Sequence, residues 1–257
     1  NAPVRIPQED YRDLKSLFKI LGIKKKDKIV CLTVRDNAFH GKSQSTEYRN
    51  VKVNNYKSSI MYLIKKGYFV LRMGRKTNVK INIKSKKFID YSKLKNRNEK
   101  LDILIASKSS FCISSGTGFD GITRMFRKPT LFTNYVPIVY FPSDNFNSQT
   151  IFKKFYDKKS LKKNKYLSLK DIIRSGLAFV NSDREFKNRN VKLIDNSSNE
   201  ILQSVVEFEK KFIKNKKINT NFSNLDKKFN KIFNKELKYC FISAIHKRIH
   251  ATVSNHF

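Results

Sequence analysis

The strongest chemical signal in the chain is the run Ser114-Ser115-Gly116-Thr117-Gly118. It follows the apolar stretch Ser110-Phe111-Cys112-Ile113 and precedes a helical pattern over 118–126. Glycines let a ligand approach the backbone closely, and a helix start offers unpaired N–H groups and the positive end of a dipole. The two serines and Thr117 add hydroxyls. A phosphate or diphosphate is the natural guest. The competing reading is an ordinary tight turn between a strand and a helix. The Gly-Lys-Ser/Thr ending of a Walker A loop is absent.

Two further sets stand where strands are expected to end. Arg35-Asp36-Asn37 closes one apolar run, with His40 and the pair Tyr48-Arg49 in the polar stretch after it. Arg72-Met73-Gly74-Arg75 closes another. A guanidinium at the carboxyl end of a strand can clamp a phosphate with two parallel hydrogen bonds. The competing reading pairs Arg35 with Asp36 or another acid. Arg35, Tyr48, Arg49, Arg72, Gly74 and Ser114 to Gly118 together form the expected phosphate-binding set. The acids and imidazole nearest to it are Asp36, His40, Glu47, Asp102 and Asp120. Asp120 falls in the first turn of its helix, where the dipole favours a carboxylate. His40 is the preferred general base because imidazole titrates near neutrality, with Asp36 second. No metal site is expected. There is no Asp-x-Asp pair, and His246 and His250 lack a third ligand nearby. Arg, Lys and helix-end N–H groups would then neutralise a leaving diphosphate, with no cofactor.

The elements that must position these residues alternate. A helix over about 9–21 leads in. Lys28 to Val34 reads as a buried strand, 35–54 as a polar loop, and 55–66 as a helix ended by Gly67. Tyr68 to Arg72 is the second strand, which makes a βαβ unit with a right-handed crossover. Phe88 to Asp90 is a short strand, 98–107 a helix, Ser110 to Ile113 a strand, 118–126 a helix and Pro129 to Thr133 a strand. Ser168 with Asp171, and Ser197 with Glu200, read as boxes that open helices, the second running to about Ile213. Residues 214–235 are rich in Lys and Asn and read as a linker or a solvated helix; 236–253 reads as helical. The expected fold is α/β, a Rossmann-like parallel sheet flanked by helices. Its parts are a lead-in over 1–27, a Rossmann-like domain over 28–195 and a C-terminal helical segment over 196–257.

A net charge of +34 invites a polyanionic partner, nucleic acid or an anionic membrane. However, Lys outnumbers Arg by 42 to 13, and the lysines run from 15 to 247 without a single stripe. That favours compositional bias over a dedicated nucleic-acid surface. Cys31, Cys112 and Cys240 show no metal or redox spacing, so buried free thiols and a reducing compartment are expected. No secretory signal and no spanning apolar run is visible.

Taken in order, Val30 to Asp36, Tyr48-Arg49-Asn50, Val70 to Gly74, Ile89-Asp90-Tyr91, Phe111 to Gly116, Arg127-Lys128-Pro129 and Leu167-Ser168 resemble a family of bacterial glycosyltransferases found with surface-polysaccharide genes. The resemblance covers roughly 28 to 175. It implies a GT-B architecture whose C-terminal half holds a nucleoside-diphosphate sugar, with Arg35 on the donor diphosphate. It also implies a glycan or lipid-linked acceptor and a cytoplasmic place, with peripheral contact at the inner face of an anionic membrane. The chain opens at Asn1, and an acceptor half is expected outside it. A nucleic-acid-binding protein, and a sugar-modifying epimerase or pyruvyl transferase of the same fold, are the alternatives.

Overall fold

The computed structural model describes residues 4–38, 46–141, 147–161, 165–214 and 224–237. The short β-branched run Ile29–Thr33 forms strand β1, buried along its whole length. The chain then crosses a loop and a 3-10 turn to helix α2 (Lys57–Lys65). Gly67, at φ +91°, ends α2 in the left-handed region, and Tyr68 N–H reaches back to Leu63 O at 3.0 Å. Strand β2 (Phe69–Arg72) pairs parallel with β1, so the expected βαβ unit forms. Strand β3 (Phe88–Ile89), helix α3 (Glu99–Lys108), strand β4 (Phe111–Ser114), helix α4 (Gly118–Met125) and strand β5 (Thr130–Tyr135) continue the alternation. Strand β6 (Ser148–Phe152) completes the sheet. Its strands Ser-Gln-Thr-Ile-Phe carry too little apolar pattern to announce themselves in the sequence.

Among the described residues, six strands form one parallel sheet in the order β3-β2-β1-β4-β5-β6. This is the doubly wound order, and its direction reverses between β1 and β4. Crevices for ligands open at that point, beyond the carboxyl ends of the strands.

Strand alternation sorts the core into two layers. Val30, Leu32, Val70, Phe111 and Ile113 face one way, onto Ile60 and Leu63 of α2. Helix α7 (Ser198–Phe208) returns across this face with Ile201, Val205 and Phe208. Cys31, Phe69, Leu71 and Cys112 face the other way, onto Leu101, Leu104 and Ile105 of α3. Helix α1 (Arg12–Ile20) adds Leu14 and Leu17 to that layer.

A smaller lobe follows β6. Strand β7 (Lys154–Asp157) pairs antiparallel with β8 (Val191–Ile194), and helices α5 (Leu169–Arg174) and α6 (Asp183–Asn188) lie between them in sequence. Helix α8 (Asn224–Leu237) corrects the expectation of a linker or solvated helix over 214–235. Phe229 and Phe233 are buried against Phe141, whose ring lies 5.9 and 5.5 Å from theirs. Lysines on four exposed positions of α8 masked this apolar stripe in the sequence. The anticipated helix starts hold: Ser168 Oγ accepts from Asp171 N–H, and Ser197 Oγ from Glu200 N–H. Among the described residues, no helix is long and apolar enough to cross a membrane.

Candidate functional site

Period-two alternation decides which residues of the strand ends share a face. In β1, Cys31 and Thr33 face α3 and α4, and Arg35 continues that row. Leu32 and Val34 face α2, and Asp36 continues theirs. In β2, Leu71 and Met73 share the first face, whereas Arg72 shares the second with Val70. A cavity of about 680 Å³ opens at the switch point on the α3 and α4 side. Its wall includes Thr33, Arg35, Arg49, Met73, Gly74, Thr117 and Gly118.

Four contacts fix this rim. Ser115 N–H donates to Thr33 O at 3.0 Å, and Arg35 N–H donates to Ser115 Oγ at 2.8 Å. The hydroxyls of Thr33 and Thr117 meet at 2.8 Å. The Arg49 guanidinium donates to Gly116 O. The β1–α2 loop and the β4–α4 turn are thereby locked together. Gly116 sits at φ +77°, and an added Cβ would stand 3.0 Å from the Tyr135 ring. Glycine is required there by backbone and by space.

The turn divides its labour. Ser114 and Ser115 are buried, and their hydroxyls serve the protein: Ser114 Oγ donates to Asp120 Oδ2 at 2.6 Å and accepts from Gly116 N–H at 3.0 Å. Thr117 N–H donates to Asp120 Oδ2 at 2.7 Å. Asp120 is thus the structural carboxylate that its first-turn position suggested. Burial raises its pKa, against the lowering by Ser114 and Thr117. The first-turn amides beyond it, those of Gly118 and Phe119, precede any intrahelical acceptor and lie on the cavity wall. The part of the motif that faces the cavity is therefore Thr117-Gly118-Phe119, with the serines behind it.

The Arg49 guanidinium stands close enough to that of Arg35 to disfavour its charge. The Arg35 pKa is lowered, first by burial and next by Arg49. Arg35 donates to the Thr46 hydroxyl at 2.9 Å, and among the described residues no carboxylate pairs with it. Arg75 and Lys76 extend the positive wall on the β2 side. Across from them Ile103, Phe119 and Ile122 form an apolar side.

Two expected site residues have other work. Arg72 is wholly buried on the α2 face. It holds Asp36 and Asp90, each at 3.3 Å, and Val79 O. It cannot reach a ligand in the cavity. Asp36 is not free to act as a base. Its Oδ2 also accepts from Asn78 N–H at 2.9 Å and Val79 N–H at 3.2 Å, and its Oδ1 from Ala38 N–H at 3.0 Å. This pair pins the loop after β2 onto the end of β1. Tyr48 likewise leaves the cavity, its ring 5.5 Å from Phe186 in the smaller lobe. His40, and the pair His246 and His250, lie outside the described residues. Asp102 pairs with Arg97 at 2.5 Å, and burial raises its pKa despite that partner. Glu99 lines the same end of the cavity.

Of the residues singled out in the sequence, Arg35, Asp36, Arg49, Gly74, Arg75, Asp102, Thr117 and Gly118 line the cavity; Lys76, Ile103, Phe119 and Ile122 line it too and were not singled out. The alternation that puts Arg72 beside Val70 was available as a signal. The apolar wall, drawn from two helices far apart in sequence, was not. Among the described residues, no group of three His, Cys, Asp or Glu could hold a metal ion.

Comparison with solved structures finds similarity to the ADP-heptose LPS heptosyltransferase II of E. coli, 9% identical, over 80% of this chain and 53% of that one, with a TM-score of 0.46. The wall teichoic acid polymerase TagF is 13% identical over 90% of this chain and 49% of that one, with a TM-score of 0.35. The chain spans about half the length of each. No family model and no curated protein matches. The α/β assignment rests on the sheet itself, six parallel strands in doubly wound order.

Proposed function

We propose that this chain is the donor-binding half of a glycosyltransferase that takes a nucleoside-diphosphate sugar and delivers the sugar to a glycan or lipid-linked acceptor of the cell envelope. The observation that carries the reading is the pairing of Arg35 and Arg49 beside the open first turn of α4, at the switch point of a doubly wound sheet. Two like charges held together over a cavity call for an anion between them. A diphosphate supplies two charges and oxygens enough for both guanidiniums and the α4 amides. In sugar transfer the bond from the sugar's anomeric carbon to the distal phosphate breaks, and negative charge grows on the departing diphosphate. Fixed cations and N–H groups at that place lower the barrier without rearranging. Arg75 and Lys76 strengthen the same field, and no divalent ion is required in this reading. His40 remains the base proposed to take the acceptor's proton.

The test is calorimetry with the full chain and sugars linked to UDP, GDP, ADP and CMP. One nucleotide class is expected to bind, equally well with EDTA present. Arg35→Ala is expected to weaken it by about tenfold to a hundredfold, the scale of a lost charge-assisted contact. Failure of every nucleotide sugar to bind would remove the proposal.

A further inference from the structure

We propose that the segment joining β2 to β3 is a binding track for a linear anionic glycan, with Lys76, Lys80, Lys84 and Lys86 on its acidic groups and Asn82 on a hydroxyl between them. That this glycan is the acceptor of the transfer rests on the donor-site reading; that it binds does not. From Arg75 to Ile89 the chain carries six cations and no acid. Burial alternates along it. Thr77 and Ile81 are buried, Ile83 and Ser85 are half-buried, and positions 76, 78, 80, 82, 84 and 86 are all exposed. Val79, at 37% exposure, is the one break on the inner side. A period of two is that of an extended chain, so the six outer side chains share one face. In order they are Lys-Asn-Lys-Asn-Lys-Lys. The face is held in shape from within. Ile81 and Ile83 join the core layer that α2 and α7 cover. Asp36 accepts from the Asn78 and Val79 N–H groups, and Lys93 Nζ donates to Thr77 O at 2.6 Å. A guest therefore meets a surface that needs little ordering.

The cations of this face are unspent. Among the described residues, none of Arg75, Lys76, Lys80, Lys84 and Lys86 forms an ion pair, whereas Lys100, Lys153 and Lys154 each hold a carboxylate. Lys87 is turned aside over the Phe69 ring, 5.9 Å from its centre. The acids nearest the segment are already engaged. Asp36 serves Arg72 and the two amides, and Asp90 serves Arg72 and Ser92. Arg75 and Lys76 also line the cavity, so the track opens onto it; the cavity's other acids, Glu99 and Asp102, stand on α3. A nucleic acid would add stacking of its bases on aromatic rings, and the outer face of the segment offers none. A glycan with charged and hydroxyl-bearing groups in turn suits both residue types. Ammonium groups meet carboxylate or phosphate, and a carboxamide both donates to and accepts from a hydroxyl. Asn78 is partly spent on Asn37, to whose Oδ1 it donates at 3.1 Å, which leaves Asn82 for that part. Lysines that only blunt an unpaired sheet edge are the competing reading.

The experiment is fluorescence anisotropy of the full chain with labelled polygalacturonate, phosphorylated dextran, neutral dextran and single-stranded DNA of matched charge. The two anionic glycans are expected to bind and neutral dextran is not; the tighter of the two tells carboxylate from phosphate. Lys80→Gln with Lys84→Gln and Lys86→Gln is expected to weaken glycan binding about tenfold, the product of three exposed ion pairs at about twofold each. The control removes the same charge at Lys24, Lys25 and Lys26, exposed at the amino end of β1, and is expected to cost less than about twofold. Nucleotide-sugar binding by the triple variant should match the parent, because positions 80, 84 and 86 lie off the cavity wall. Failure of both anionic glycans to bind overturns the proposal and leaves the donor site standing; failure of every nucleotide sugar does the reverse. An equal loss in the control overturns it as diffuse attraction. Unchanged glycan binding by the triple variant overturns it in favour of edge protection. DNA that binds more tightly than either glycan, with the same loss in the triple variant, overturns it in favour of nucleic acid.

Discussion

At the residue scale, the two arginines that end neighbouring strands have opposite fates. Arg35 continues the row of Thr33 and meets the cavity. Arg72 lies in the row of Val70 and is sealed beneath α2 with Asp36 and Asp90. Removing one partner from a buried ion pair leaves the other charge without solvent or counter-ion, at a cost of about 3–5 kcal/mol. Arg72→Met is therefore expected to lower the urea unfolding free energy by that amount, because the buried Asp36 carboxylate would lose its cation and the partly buried Asp90 its partner. Nucleotide binding by the fraction that stays folded should change little, since Arg72 does not line the cavity. A phosphate-binding role for Arg72 would produce the reverse pattern, with stability kept and affinity lost. The motif 114–118 shows how far residue types alone carry. Its place as a glycine turn between a strand and a helix was legible. Its division into buried serines and an exposed Thr117-Gly118 edge was not, because that depends on Asp120 reaching back from the helix to claim Ser114 and the Thr117 amide.

At the scale of the element, α4 can be tested without disturbing the sheet. Gly118 is the first residue of the helix, a Cβ there meets nothing within 4 Å, and Thr117 before it is extended at φ -119°, ψ 167°. Each condition suits proline, which is accepted at the first helical position and lacks only the N–H. Gly118→Pro is expected to leave the thermal midpoint within about 2 °C, since surface changes of this kind stay near half a kcal/mol. It should weaken nucleotide-sugar binding by about tenfold, the worth of one hydrogen bond to a charged group. A variant that binds as well as the parent would show that the α4 amides do not touch the ligand. Elements with strong periodicity were visible in the sequence: β1, α2, β2, α3 and β4 lie within two residues of their expected ends. β6 was hidden by Ser148, Gln149 and Thr150, which are buried by their place in the sheet rather than by their chemistry. α8 was hidden by its lysines.

At the scale of the whole molecule, the parallel sheet flanked by helices followed from counting alternations, but its strand order and the second lobe did not. The core of that lobe is assembled from Phe141, Phe152, Phe229 and Phe233, which are distant in sequence and stack only in space. Both lobes bury groups that resist ionisation. Burial pushes the Cys31 thiol from its ordinary 9.0 to about 12, and the Tyr56 and Tyr135 phenols from 10.0 to about 12. The Cys112 thiol, its neighbour across β1 and β4, is raised in the same way. A folded pKa above the unfolded one gives stability that is complete below the unfolded value and is lost as pH rises toward the folded one. The urea midpoint is therefore expected to hold up to about pH 9 and to fall steadily from there to about 12. Cys31→Val should shallow the first part of that fall. A flat profile through this range would mean that the thiols and phenols already meet water.

Tyr48 and Arg49 are consecutive, yet one ring rests on Phe186 in the smaller lobe while the next guanidinium grips the β4–α4 turn beside the cavity. Glu47, one step earlier, donates its N–H to Asp183 at the head of α6. Three residues of one short turn are thus the wire between two compartments. The placing of the Arg49 guanidinium beside the cavity is therefore tied to α6 through its two neighbours in the chain.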